Sequence, residues 1–242
     1  MKKTVFIFLN LMLFGFICTA QPDSFFKKAD LFFKAYVTDG SVKYKEITSK
    51  PSELNELIKY ISNADVKSFS EKEAKAFFLN AYNLLVISSI VKAYPVNSPM
   101  DVEGFFDKKK QSIGGEQLTL NNIENKKIRE VYEDSRIHFA LVCAAKGCPK
   151  IADFAFTPEN VENQLEKLTI NAMNNPDFTK IDVKEKKVML SEIFNWYKQD
   201  FLAEAPDLLS YVNQYRNKKI DKSFKVGHYT YNWELNEATM NN

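Results

Sequence analysis

The chemistry-bearing residues of this chain are concentrated in RIHFALVCAAKGCPKI, residues 136–151. His138, Cys143 and Cys148 fall within eleven positions there, in a chain that holds only two histidines and three cysteines. A thiol near an imidazole suits nucleophilic catalysis, because the base takes the proton that the nucleophile must lose. On an extended strand the five-residue step from His138 to Cys143 spans roughly 16 Å. Cys148, returning across AAKG, is therefore the better partner for His138. Cys148 also precedes Pro149, at an N-cap-like place ahead of PKIADF, where the partial positive charge of a helix N-terminus would favour a thiolate.

Two other readings of these residues stay open. A Cys143–Cys148 disulfide suits an exported chain with an even count of remaining cysteines. So short a loop would hold the turn more than it would stabilise the whole fold. A metal site would recruit His138, Cys143, Cys148 and a fourth ligand such as His228, but the spacing matches no standard zinc pattern. A thiol redox module lacks the tight CxxC spacing. His228, a lone histidine among aromatics, reads as structural or surface. Nothing in the pattern calls for a cofactor.

Supporting groups come from other segments. In FFLNAYN, Asn80 and Asn83 stand at i, i+3 and so share a helical face. Buried amides need partners, so they either brace the helix against a neighbouring loop or orient a catalytic imidazole or oxyanion. Glu124, in the helix after the first hairpin, is a candidate acid behind them, with a solvated surface glutamate as the alternative. The apolar residues of LSEIFNWYKQDF, Ile193 with the aromatics Phe194, Trp196, Tyr197 and Phe201, stand at helical spacing and read as core before they read as a ligand groove.

The elements that must position these residues follow from periodicity and punctuation. Residues 24–37 place Phe25, Ala29, Phe32, Phe33 and Tyr36 on one stripe, with Ser24 as cap. A second helix covers 51–61. The strongest helix is 71–93, started by Ser70 and acidic first-turn residues and stopped before Tyr94-Pro95. It is apolar on most faces from Phe77 to Val91, as a central helix should be. Gly114-Gly115 marks a hairpin, and Thr119 caps a helix to about residue 131. RIHFALVC reads as a short buried strand. Thr157-Pro158 opens a helix that ends near Asn174-Asn175-Pro176. FTKIDVKEKKVML is a second hairpin, SEIFNWYKQDF and PDLLSYVNQYR are helices, and KVGHYTYNWELN holds a closing strand. Without a βαβ rhythm the class is α+β: one mixed domain, mainly helical, with antiparallel hairpins and a short central strand carrying the His/Cys motif.

The N-terminus reads as a leader. Lys2 and Lys3 precede an apolar run from Thr4 to Ile17 and a small-residue site at Cys18-Thr19-Ala20. The expectation is cleavage after Ala20 and a soluble, exported protein, with lipidation at Cys18 the rival. No later apolar run reads as membrane-spanning. Removing Lys2 and Lys3 from the 33 basic residues leaves 31, equal to the 31 acidic ones. This balance offers no electrostatic case for nucleic acid. The division expected is a leader at 1–20, an N-terminal helical part at 21–69 and a core at 70–236.

FFLNAYN, YPVNS, IGGEQLTLNNIE, RIHFALVCAAKGCPKI, LSEIFNWYKQDF and YNWELN, in that order, resemble the bacterial exported branch of domain-of-unknown-function family 547 over roughly residues 70–236. The resemblance implies a single mixed domain and brings no established activity. It places Asn80, Tyr82 and Asn83 on the helix motif, Glu124 after the hairpin, and His138, Cys143 and Cys148 on the central motif. Trp196, Tyr197 and Trp233 are its aromatic landmarks. Asn232 stands where relatives usually have aspartate, and His228 falls on no motif.

Two functions are carried forward. The first is a cysteine-dependent hydrolase or acyltransferase for a peptide or amide-like substrate, with Cys148 or Cys143 as nucleophile, His138 as base, Asn80 or Asn83 as orienting amide and Glu124 behind them. The second is a non-catalytic extracytoplasmic binding or scaffold domain, with Cys143 and Cys148 bridged.

Overall fold

A computed structural model describes residues 22–239. The expected leader, with its expected cleavage site and Cys18, lies outside the described residues. The first helix, α1 (Pro22–Tyr36), leads into the short hairpin β1 (Val37–Thr38) and β2 (Ser41–Val42), then α2 (Tyr44–Ser49) and α3 (Ser52–Asn63). All three helices pack on α4 (Glu71–Ala93). The α4 N-terminus is a full capping box: Glu73 N–H donates to the Ser70 hydroxyl, and Ser70 N–H donates to the Glu73 carboxylate at 2.7 Å. Every residue from Lys75 to Ile90 is buried. By length and composition α4 could cross a bilayer, yet 89% of its most apolar window is covered by the fold. It is the central core helix that its unbroken apolar surface implies.

The hairpin of β3 (Lys110–Ile113) and β4 (Glu116–Thr119) turns at Gly114 and Gly115, both at positive φ. Gly114 N–H donates to the Ile61 carbonyl at 2.8 Å, and a Cβ at Gly114 would meet Val66 Cγ2 at 2.9 Å. Glycine is thus required both by φ and by the close docking of the turn on the end of α3. Thr119 caps the next helix by accepting from Asn122 N–H. That helix, α5 (residues 120–132), contains a seven-residue π segment at Ile123–Arg129.

Residues 136–142 depart from the expected strand. Ser135–Phe139 is a 3-10 turn capped by the Asp134 side chain, and residues 140–160 form an irregular crossing. The reason is visible in the burial. Ile137 and Ala140 enter the core around α4, while Phe139 enters a second apolar cluster with Phe178, Phe194 and Phe201. A tight helical turn sends neighbouring side chains into two cores, and the Asp134 cap favours it. The backbone that a strand would have paired is held by side chains instead, as described below.

After the crossing come α6 (Val161–Asn174) and the hairpin β5 (Lys180–Asp182) and β6 (Lys187–Ser191). The α6 helix starts later than Thr157-Pro158 suggested, because a turn in which Val161 N–H donates to the Thr157 carbonyl comes first. The aromatic segment breaks into α7 (Ile193–Trp196) and α8 (Lys198–Glu204), followed by α9 (Leu208–Tyr215). The last strand, β7 (Lys225–Tyr229), lies parallel to β6 in a three-stranded sheet of order β5-β6-β7. The described chain is thus one mixed α+β arrangement of helices and small sheets around two adjoining apolar clusters.

Candidate functional site

The irregular crossing is pinned from α4 by the two asparagines. Asn83 donates to the Ala140 carbonyl at 2.9 Å and accepts from Val142 N–H at 3.0 Å. Asn80 donates to the Phe156 carbonyl at 2.8 Å and accepts from Phe156 N–H at 2.9 Å. Each amide therefore imitates a strand neighbour for a segment that has none. These bonds commit both amides to bracing, the structural alternative for residues on that shared face.

Held this way, the crossing presents His138, Cys143 and Cys148 to one cavity of about 290 Å³, also lined by Tyr82, Glu124, Tyr197 and Tyr231. The sulfurs of Cys143 and Cys148 are at disulfide-bonding distance, with Cα atoms 6.5 Å apart, inside the range a bridge spans. Cys143 N–H points at the Cys148 sulfur at 2.9 Å, and the Tyr231 hydroxyl lies 3.0 Å from both sulfurs. The helix expected at PKIADF does not form. Cys148 N–H closes a turn on the Ala145 carbonyl, and residues 149–152 are irregular. Cys148 therefore has no helix end beside it to favour a thiolate, and the Cys143 N–H supplies the only backbone donor directed at its sulfur among the described residues.

His138 is buried, its ring stacked on Tyr197 with centroids 4.0 Å apart. Its Nε2 is 2.7 Å from Asp200 Oδ2. Asp200 also takes Arg129 in two-point contact, from Nε and Nη2 at 2.9 Å each. Hydrogen bonds from His138 and Arg129 hold the Asp200 carboxyl well below the usual carboxylate range, so it is an acceptor. An ionised acceptor fixes the imidazole proton on Nε2 and leaves Nδ1 as the basic nitrogen. This His–Asp pair is the orienting contact that had been expected from an asparagine.

Glu124 is buried and accepts from two hydroxyls, Tyr82 at 2.9 Å and Tyr197 at 2.6 Å. Burial, followed by the nearby Glu124 charge, pushes both tyrosines far above their ordinary value, so they remain donors. Glu124 and Arg129 are five apart. On an α-helix they would stand about 140° apart around the axis, but they sit on the π segment, whose i→i+5 bonding brings such residues toward one face. Both reach Tyr197: Glu124 at its hydroxyl, Arg129 over its ring at 4.9 Å.

Asp200 and Arg129 were not among the expected site residues, although both are legible afterwards. Asp200 follows Tyr197 by three positions, so it shares a helical face with that ring, and it precedes the buried Phe201, where an acid needs a partner. Tyr231 had no distinguishing spacing. His228 lies on β7 and lines a different cavity with Lys198 and Phe224. It cannot serve as the fourth ligand of a site at the cysteines. Among the described residues, no group of three His, Cys, Asp or Glu could hold a metal ion.

Residues 66–171 match the model of a family described as a protein of unknown function, DUF547. The matched segment holds both asparagines, Glu124, Arg129, His138 and the two cysteines, whereas Asp200, Tyr231 and both tryptophans lie beyond it. No curated protein and no solved structure matches the chain.

Proposed function

We propose that this protein is a cysteine-dependent acyl-transfer enzyme, a hydrolase or acyltransferase for a peptide or amide-like bond, active when the Cys143–Cys148 pair is reduced by a dithiol. The observation that carries the reading is the His138–Asp200 contact of 2.7 Å on the wall of the cavity that both cysteines line. Cys148 is the nucleophile, because the Cys143 N–H directed at its sulfur would stabilise a thiolate. His138 Nδ1 takes the thiol proton. The sulfur bonds to the acyl carbon, and the leaving amine departs with the proton from His138. Water or an acceptor amine then attacks the thioester, and its proton passes through His138 to the departing sulfur, which restores the thiol. Asp200 holds the imidazole tautomer throughout. The leader-like residues 1–20 support an extracytoplasmic setting for this chemistry.

The second reading is a binding domain that keeps its bridge. It is favoured by the aromatic rim of the cavity, where Trp196 is 48% exposed. Alkylation separates the two. After dithiol reduction, Cys148 should alkylate well below the pH of an ordinary thiol, which titrates near 8.5. His138→Ala should slow the reaction at mildly acidic pH about 100-fold, and Asp200→Asn about tenfold. Thiols that resist reduction, or that react like a free peptide thiol with or without His138, would instead support the bridged binding domain.

A further inference from the structure

The cavity contains a charge that the thiol chemistry does not use. Glu124 is 8% exposed, and among the described residues its carboxylate meets two tyrosine hydroxyls and no cationic side chain. The nearest candidate, Arg129, is engaged in two-point contact with Asp200. Arg129 is close enough to feel the Glu124 charge without contacting it, and a buried carboxylate with no cation in direct contact favours a further positive partner. Around it the walls are aromatic. Trp196, Tyr231 and Trp233 stand with centroids 4.7 to 5.9 Å apart, and Phe106 adjoins Trp233 at 6.3 Å. Aromatic faces backed by a carboxylate attract cations more than neutral groups of the same shape.

We propose that this cavity binds an organic ammonium group, seated against the tryptophan and tyrosine rings with Glu124 as its counter-charge. Coupling that group to the scissile bond rests on the thiol-enzyme reading; the binding itself does not. A substrate that places its ammonium here would carry its acyl carbon toward the sulfurs, because Tyr231 belongs to the aromatic wall and also touches both cysteines. A quaternary amine and a lysine-like primary amine share this chemistry.

The chain's two tryptophans both line this cavity, so tryptophan fluorescence, excited at a wavelength tyrosine does not absorb, reports on it. The protein, kept oxidised so that no thiol takes part, is titrated at constant ionic strength with four probes. These are choline, butylammonium, the neutral choline isostere 3,3-dimethylbutan-1-ol, and chitobiose. Saturable binding of choline or butylammonium about tenfold or more tighter than the alcohol is expected, and whichever cation binds tighter identifies the class. Glu124→Gln should abolish that preference. Because this change leaves one tyrosine without its acceptor, Trp196→Leu at the half-exposed rim provides a second variant, expected to weaken cation binding with Trp233 still reporting. Equal binding of the alcohol, binding of chitobiose alone, or no saturable response would overturn the inference. Since the titration needs no free thiol, its failure would leave the Cys148 reading standing, and a failed alkylation test would leave this one standing.

Discussion

Asn83 shows how one residue can decide what a segment is. Its amide satisfies a carbonyl and an N–H on the crossing that carries the cysteines, and it is 2% exposed. Asn83→Ala would strand both backbone groups without water. The expected cost is roughly 3 kcal/mol, or about 6–12 °C in melting temperature for a domain of this size. Thermal melts of the variant check this. Thiol reactivity, measured well below the new midpoint, should be retained, in contrast with Asp200→Asn. An unchanged melt with lost reactivity would make the amide an orienting group. At the same scale His138 was readable as a base from its neighbourhood in sequence. Its partner was not, since Asp200 is 62 residues away and arrives only through packing.

At the scale of elements, the 3-10 turn is tied to α4 and α6 by charge. Asp134 lies 2.9 Å from Lys75 Nζ and 2.8 Å from Arg136 Nη2, while Glu162 on α6 contacts both cations. Burial alone would raise the Asp134 carboxyl, but hydrogen bonds from Arg136 and Lys75 outweigh it and bring the value down to about 2. A carboxyl depressed on folding contributes stability that is complete above its unfolded value, near 3.9, and that disappears as pH falls through about 2. The contribution is on the order of 2 kcal/mol. Asp134→Asn should lose that amount at neutral pH and flatten the fall in stability between about pH 4 and 2. Urea midpoints at pH 7 and across about pH 4 to 2 test both statements. The variant should keep its turn, because an asparagine oxygen can still accept from Arg136 N–H.

For the whole molecule, the site sits where the α4 core and the Phe194–Phe201 cluster meet, and Cys148 packs against both. The final segment closes the arrangement: Val42 N–H donates to the Asn236 carbonyl, and Tyr44 to the Asn236 side chain, as Tyr231 and Trp233 reach the cavity. A bridge with a sequence separation of 5 closes a small loop, worth about 2 kcal/mol by chain entropy. That is a minor part of the 5–15 kcal/mol typical of a folded domain. The reduced protein should therefore unfold cooperatively, with a midpoint only a few degrees lower. Thermal melts with and without a dithiol check this, and loss of the transition on reduction would remove the folded state that the proposed chemistry requires.

Local rules were enough for part of this. The α4 limits, its capping box, the Gly114-Gly115 hairpin and the Thr119 cap rest on interactions within a few residues, so composition and spacing determine them. His138, Cys143 and Cys148 could be singled out as rare, chemically active residues close together in sequence, whereas Glu124, one acid among 31, stood out only by its place after the hairpin. The tertiary structure decided the rest. It replaced the strand at 136–142 with a 3-10 turn, because two separate cores compete for adjacent side chains. It made Asn80 and Asn83 braces and brought Asp200 to His138, because those contacts depend on which distant backbone and carboxylate arrive beside them. Burial and long-range packing set these outcomes, and neither is written in the spacing of residues along the chain.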